Sequence, residues 1–514
     1  MSTWSAGYVT EVEYTQGYYR ELSPVLLRHL AVQRGVAVPA PRTMRYLELG
    51  FGQGLSFAIH AAACPGEFWG TDINPAHAAM ARQLLDAAGV EAQVRDVPFA
   101  ELAAEDLPLF DVITLHGIWS WVSEENRATI VDLIRRKLAF GGLVYISYNV
   151  LPGWGPIIPL RHLLKSHTEL AGAGAAGIAV KINAALAFTQ RLIDVDAAFF
   201  TDNPMLAKRI EGMRSQDRAY LAHEYFNRDW LPMSFSDAME RLDPAKLDFV
   251  SSAALLDHLD VAHLTPGMAA MLAEIGDPTF RETVRDYMIN RQFRKDVLVK
   301  GKRLLTTGQL QEVLLAERIV LLAPVADVPR RLTVGRREVD LQEAVYTPLL
   351  QIFAEGGYRP VSLGGILAHP VWAAKPLATL LQAVAVLIGA GFASPAQAEA
   401  TAALTRPRCV ALNAHLMELA RLTNGLTHLA SPVIGGGVAV TRFQQMFLTS
   451  RASGELRPEG WAAAAYTVLS GQNQRVIKDG TVLETPEENL AELTRQAQAF
   501  AAGMLPVLVG LAVA

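Results

Sequence analysis

The sequence predicts an α/β protein: a mainly parallel, Rossmann-like sheet flanked by helices, followed by a mainly helical, winged-helix-like C-terminal region. Three observations predict it. Short apolar runs alternate with helical stretches from residue 43, glycines at 50, 52 and 54 punctuate the first junction, and the alternation gives way to Ala-rich helical sequence after Trp154. Strands separated by helical crossovers make a parallel sheet with right-handed connections and helices on both faces.

The segments TMRYLEL (43–49), EFWGTDI (67–73), VEAQVRD (90–96), FDVITLH (110–116) and GGLVYISY (141–148) read as strands, short, apolar and bounded by Gly, Pro or Asp. Between them, LSFAIHAAA (55–63), PAHAAMARQLLDAAG (75–89) and EENRATIVDLIRRKLAF (124–140) have helical spacing, with Pro75 at a first helical position. From about 160 to 231 the sequence is helical. A helix at 235–242 and strands at 247–253 and 294–300 then predict that the sheet resumes. Beyond 303 come the strand-like segment 330–341 and helices near 345–357, 362–370 and 376–392. The expected division is 1–159 for the first part of the sheet, 160–231 for a helical insertion, 232–302 for the rest of the sheet and 303–514 for a C-terminal domain. The AGAGAAG piece at 171–177 reads as an exposed helix connection.

A chain of 514 residues exceeds one compact core, and about three structural units are expected. A net charge of -5 gives no basic footprint for nucleic acid. Two distant cysteines, Cys64 and Cys409, build neither a disulfide framework nor a CxxC metal site, which fits a cytoplasmic location and no metal. The first residues, MSTWSAGYVTEVEY, lack the pattern of a signal peptide. The most apolar stretch, 499–514, is interrupted by Pro506 and falls short of the roughly 20 residues of a membrane span, so it reads as a buried terminal helix. There is no Ser-His-Asp arrangement and no HExxH motif.

The segment YLELGFGQG (46–54) joins a strand to a helix. Glycines at such a junction admit positive φ and let a ligand approach the backbone. The pattern is ExGxGxG, with Glu48 inside it and Leu55 after it, instead of the dinucleotide GxGxxG. Asp72, followed by Ile73, ends the second strand, where a carboxylate accepts ribose hydroxyls. Asp96, followed by Val97, ends the third, within reach of an adenine amino group. A tight turn in a fold binding another nucleotide is the bland alternative. Two further strand ends carry aromatic and polar residues: His116, Trp119, Ser120 and Trp121 after the fourth, and Tyr148, Asn149, Pro152 and Trp154 after the fifth. Aromatic faces hold cations, although core packing explains Trp121 equally well and His116 can simply bond a neighbouring carbonyl. Trp154 follows a Pro-Gly turn and is expected to be partly exposed.

The sequence resembles the bacterial methyltransferases that carry a methyltransferase regulatory domain, a group including the rickettsial protein lysine methyltransferases. The matching motifs are LELGFGQG (47–54), GTDI (70–73), HGIWSWV (116–122), SYNVLPGW (147–154), HEYF (223–226) and RQFR (291–294), over roughly residues 10 to 300. The chain departs from the family at Phe51, where Cys is usual, at Leu55, where a second glycine is, at Trp119, where Tyr is common, and at Val150-Leu151, where Thr-Tyr is. The resemblance implies a class I methyltransferase sheet and the donor S-adenosyl-L-methionine, leaving S-adenosylhomocysteine. It places Glu48, Gly50, Gly52, Gly54, Asp72, Ile73, Asp96, Val97 and His116 around the donor. Catalytic roles fall to Tyr148, Asn149 and His116, and acceptor contacts to Trp119, Trp154, His223 and Tyr225. Tyr14 and Tyr18 belong to a stretch, EYTQGYY (13–19), that looks like the family's tyrosine-bearing lid. The acceptor expected is a lysine amine of a protein, with a homodimer possible. The alternatives are a small-molecule acceptor, or a non-catalytic regulatory protein that binds the same donor.

Overall fold

The predicted strands form a sheet whose first five members run parallel, and this brings their carboxyl ends together. The computed structural model describes residues 17–39, 43–171, 177–335, 337–372 and 375–514. After α1 (Pro24–Gln33) the chain runs β1 (Arg45–Leu49), α2 (Leu55–Ala63), β2 (Glu67–Thr71), α3 (Pro75–Ala88), β3 (Gln93–Arg95), α4 (Phe99–Ala104), β4 (Phe110–Leu115), α5 (Glu124–Lys137) and β5 (Leu138–Asn149). Helix was expected to Phe140, but β5 already starts at Leu138, which pairs with Phe110 of β4. α3 shows how local sequence sets the boundaries. Asn74 caps its start by accepting the Ala76 amide at 3.0 Å, Pro75 supplies the first turn, and Gly89 (φ 63°) closes it.

A run of helices follows: α6 (Leu151–Trp154), α7 (Ile158–Ser166), α8 (Ile178–Asp194), α9 (Ala198–Thr201), α10 (Pro204–Ser215), α11 (Arg218–Tyr225) and α12 (Phe235–Leu242). The connection expected at 171–177 falls mostly outside the described residues. The sheet then resumes as expected, with β6 (Leu247–Ser252), α13 (Asp260–His263), α14 (Pro266–Glu274), α15 (Pro278–Ile289) and β7 (Phe293–Lys300). Its order is β3-β2-β1-β4-β5-β7-β6, parallel from β3 to β5, with β7 antiparallel to both neighbours. The winding reverses between β1 and β4, and the crevice at their carboxyl ends is where such a sheet takes its ligand.

Side chains alternate along each strand, so each sheet face has its own core. Leu47, Leu49, Ile113, Val144 and Ile146 pack with α4, α5 and α12. On the opposite face Tyr46, Val112 and Tyr145 pack with α1, α2 and α3, and this core runs on into Leu321, Phe353, Leu387 and Leu412 of the C-terminal region. A third core joins Trp154 to Leu160, Leu164, Ile182, Ile210 and Leu221 of the helical insertion.

In the C-terminal region, strand Arg318–Leu321 lies between Val361–Ser362 and Ala393–Ala396 in an antiparallel sheet. Helices Glu343–Glu355, Leu363–Ala368 and Leu377–Gly389 lie where the sequence predicted helices. The strand-like segment 330–341 is a hairpin of Arg331–Val334 and Arg337–Asp340. The segment before α1 is tied to this region: Arg20 donates to the carbonyls of Ile388 (2.7 Å) and Gly389 (3.1 Å), and Ser23 to that of Gly435 (3.3 Å). The apolar C-terminus forms helices Pro486–Ala502 and Met504–Gly510, with Val507 and Leu508 buried. Among the described residues no helix is long and apolar enough to cross a membrane. Both cysteines are buried and free.

Candidate active site

A cavity of about 460 Å³ lies at the carboxyl ends of β1, β2 and β4. One end is built on the glycine loop. Gly50, Gly52 and Gly54 all take positive φ (75°, 58° and 79°). Gly54 is also needed for space, because a Cβ there would sit 2.9 Å from the Ala81 Cα of α3. Asp72 ties the loop to β2: one carboxylate oxygen accepts the Gly52 amide at 2.8 Å, and the other accepts the Asn74 amide at 3.0 Å and lies 3.1 Å from His77 Nδ1. A carboxylate has about four acceptor positions, so capacity remains for a ligand's hydroxyls. Glu48 is buried at the back of this end and accepts the Tyr46 hydroxyl at 2.9 Å. Burial pushes its carboxyl up to about 7, eased by the Tyr46 bond and reinforced by the Asp72 charge. His116 lies with its ring centroid 4.0 Å from that of Tyr19 and its Nδ1 2.8 Å from the Tyr145 hydroxyl. Burial lowers this imidazole to about 4, which keeps it neutral near pH 7.

The other end is assembled from distant segments. Ser147 accepts the Gly117 amide at 2.8 Å and Ser120 the Asn149 amide at 2.9 Å, so hydroxyls stitch the motif after β4 to the one on β5. The Gly153 amide donates to the Arg291 carbonyl at 2.9 Å, and a Cβ at Gly153 would meet that oxygen at 2.5 Å. Arg291 and Arg294 are in turn clamped by carboxylates. Arg294 meets Asp286 at 2.8 Å, Asp296 at 2.9 Å and Glu282 at 3.0 Å, and Arg291 meets Asp257 at 2.5 Å. Gln292 and Phe293, held between the two arginines, line the cavity. α11 closes this end with Tyr220, His223 and Glu224.

Of the residues singled out from sequence, Glu48, Gly50, Gly52, Gly54, Asp72, Ile73, Val97, His116, Asn149, Trp154 and His223 line the cavity. Five do not sit there as expected. Tyr148 is buried on the opposite side of β5 from Asn149 and donates to Asp296 at 2.8 Å, as strand alternation requires. Trp119 is fully buried, its Nε1 donating to Met233 Sδ at 3.2 Å, and Trp121 lines the wall instead. Tyr18 packs against His60 and His428, and its neighbour Tyr19 takes the cavity position. The Tyr225 hydroxyl accepts Arg209 Nε at 2.9 Å, away from the wall. The Asp96 side chain, 44% exposed, turns to Arg82 at 3.4 Å beside cavity-lining Val97. Tyr14 lies outside the described residues. Trp154, expected to be partly exposed, is 6% exposed because Tyr225, Trp230 and Arg209 pack around its ring. Sequence reasoning also passed over His77, although it falls on the first turn of the helix that follows Asp72.

The family described as "Methyltransferase domain" matches residues 47–142, and "Predicted methyltransferase regulatory domain" matches residues 217–300. An uncharacterised protein of Synechocystis is 36% identical over 514 residues, spanning 99% of this chain and 100% of its own. The chain belongs to this methyltransferase family. An uncharacterised protein of Rickettsia prowazekii is 24% identical over 360 residues, covering 67% of this methyltransferase and 60% of its own length. PKMT2 of Rickettsia typhi, solved in complex with AdoHcy, shares the fold with a TM-score of 0.70 at 17% identity, over 98% of this chain and 100% of that one. AdoHcy, the ligand in that PKMT2 structure, is what S-adenosylmethionine becomes on losing its methyl group. The cavity's donor end fits it: open backbone at Gly52, spare acceptor capacity on Asp72 and a buried carboxylate at Glu48.

Proposed function

We propose that this enzyme methylates the side-chain amine of lysine in a protein acceptor, in the cytoplasm. The observation that carries the reading is that the same cavity, away from the glycine loop, is walled by Trp121, Trp154, Tyr220 and Phe293, with Asn149, His223, Glu224 and Asn227 among its polar groups. Full-length likeness to PKMT2, and the motifs resembling rickettsial protein lysine methyltransferases, support the same class of acceptor. Two free, buried cysteines suit a reducing compartment.

When bound, S-adenosylmethionine supplies an electrophilic methyl group on a sulfonium. The glycine loop would receive its methionine end, Asp72 the ribose and Val97 the adenine. Methyl transfer is an in-line displacement, so the protein's work is alignment and exclusion of water. Neutral His116, packed on Tyr19, keeps a polar edge beside the donor without adding positive charge. Asn149 orients the acceptor nitrogen, while the indoles of Trp121 and Trp154 hold the cationic chain leading to it. Residues 303–514 recognise the protein acceptor or form a dimer contact.

Isothermal titration with S-adenosylmethionine and S-adenosylhomocysteine tests the donor site. Asp72→Ala is expected to weaken binding about ten- to a hundredfold, the worth of a charge-assisted hydrogen bond. A cell lysate treated with tritiated-methyl donor should then yield labelled lysine on acid hydrolysis of the protein fraction. Label confined to small molecules would replace this reading with a metabolite methyltransferase.

A further inference from the structure

Tyr220, His223, Glu224 and Asn227 recur at helical spacing on and just past α11, and all four line the cavity. Glu224 stands out among them. It makes no hydrogen bond or ion pair with the described residues, although two guanidinium groups lie close enough to stabilise its charge. Both are engaged elsewhere. Arg161 of α7 lies over the Trp230 ring at 4.8 Å and donates to the Asn227 carbonyl at 2.6 Å. Arg209 of α10 lies over the Trp154 ring at 5.0 Å and donates to the Tyr225 hydroxyl at 2.9 Å. The indole Nε1 of Trp154, on the same wall, is buried and has no hydrogen-bond partner among the described residues. The cavity wall therefore holds a half-buried carboxylate with no partner among the described residues beside a buried, unpartnered indole N–H, polar groups left for a ligand to use.

We infer that Glu224 selects a cationic amine as the methyl acceptor and takes its proton before transfer. This deepens the lysine reading and rests on it. A lysine ammonium has no lone pair with which to attack. In the step assigned to Glu224, one N–H bond breaks, its proton passes to a carboxylate oxygen, and the electron pair stays on nitrogen. The neutral amine is then the nucleophile, and the proton leaves to solvent as the product departs. A neutral hydroxyl or phenol can donate a hydrogen bond to the carboxylate but forms no ion pair with it, so Glu224 favours the cationic acceptor.

The electrostatics suit the task. Burial raises the Glu224 carboxyl to about 7, against the lowering effect of Arg209 and Arg161. The groups facing it are Arg161, Arg209, Tyr220, Tyr225 and His223, and burial raises the two phenols as well. A group with folded pKa near 7 is charged above that value and protonated below it, so it accepts protons increasingly as pH rises through neutrality.

The test uses the full chain, tritiated-methyl S-adenosylmethionine and poly-L-lysine as the acceptor probe. In the wild type, kcat should rise with pH through about 7. Glu224→Gln should lower kcat about a hundredfold and abolish that rise, and Glu224→Asp should recover part of both. Titration with S-adenosylhomocysteine should give the same affinity for wild type and Glu224→Gln within about twofold, since the donor end is untouched. A Glu224→Gln enzyme with wild-type kcat and pH profile would overturn the inference while leaving the lysine reading intact. Loss of S-adenosylhomocysteine binding in that variant would overturn it too, by making Glu224 a support of the donor site. A wild type that leaves poly-L-lysine unlabelled would sink the lysine reading itself, and this inference with it.

Discussion

The two ends of the cavity are built on different principles. The donor end is local and made largely of backbone: one loop between β1 and α2, with a carboxylate 20 residues on that accepts its amide. The acceptor end is made of side chains from β5, α6, α11 and the start of β7, held by long-range bonds such as Gly153 to Arg291. A ligand common to a whole enzyme class can be met by a short, transferable motif. A ligand particular to one enzyme is met by surfaces that separate elements bring together, where single side chains can change without disturbing the fold.

This contrast can be broken or sharpened by substitution. The largest effect is expected from Gly54→Val, which pushes a branched side chain into Ala81 at a positive φ. It should abolish S-adenosylhomocysteine binding and cost about 3 kcal/mol of stability, read by titration and thermal unfolding. A variant that still bound the product normally would show that the donor end does not depend on its backbone path. Trp154→Ala should be smaller and one-sided, raising KM for poly-L-lysine about tenfold while donor affinity holds. Trp154→Phe, which preserves most of the packing around Leu160 and Tyr225, should fall between the two and separate acceptor binding from folding. The smallest effect belongs to Tyr148→Phe. Asp296 loses its hydroxyl donor, so stability should drop by about 1 kcal/mol while kcat stays within about twofold. A large fall in kcat there would return Tyr148 to the catalytic role its motif suggested.

The sequence was a good guide to whatever rests on neighbouring residues. Seven strands of the sheet, the glycine turn and the positions of Asp72 and Val97 follow from local pattern, because caps, turns and alternation act over a few residues. It was a poorer guide to which member of an adjacent pair faces the cavity. Tyr19 lines it where Tyr18 was expected, Trp121 where Trp119 was, and Asn149 alone of the pair with Tyr148. Each choice depends on what packs behind the strand or segment: His60 for Tyr18, Met233 for Trp119, Asp296 for Tyr148. Those partners lie 42, 114 and 148 residues away, beyond any local pattern. Phe293 and Glu224 sat inside recognised motifs, but only the folded chain shows that they share a wall.

The core behind the glycine loop does not stop at the end of the sheet. It continues through α2 and α3 into the C-terminal region, and Arg20, next to cavity-lining Tyr19, is anchored on the Ile388 and Gly389 carbonyls. In evolutionary terms the C-terminal region is therefore not a detachable accessory. A gene shortened after residue 302 would keep every residue of the donor loop yet leave the apolar backs of α2 and α3 facing water. A lineage exchanging this region for another would have to rebuild that face at the same time. Drift at the acceptor end meets no such constraint, so relatives can keep one donor chemistry while changing what they methylate.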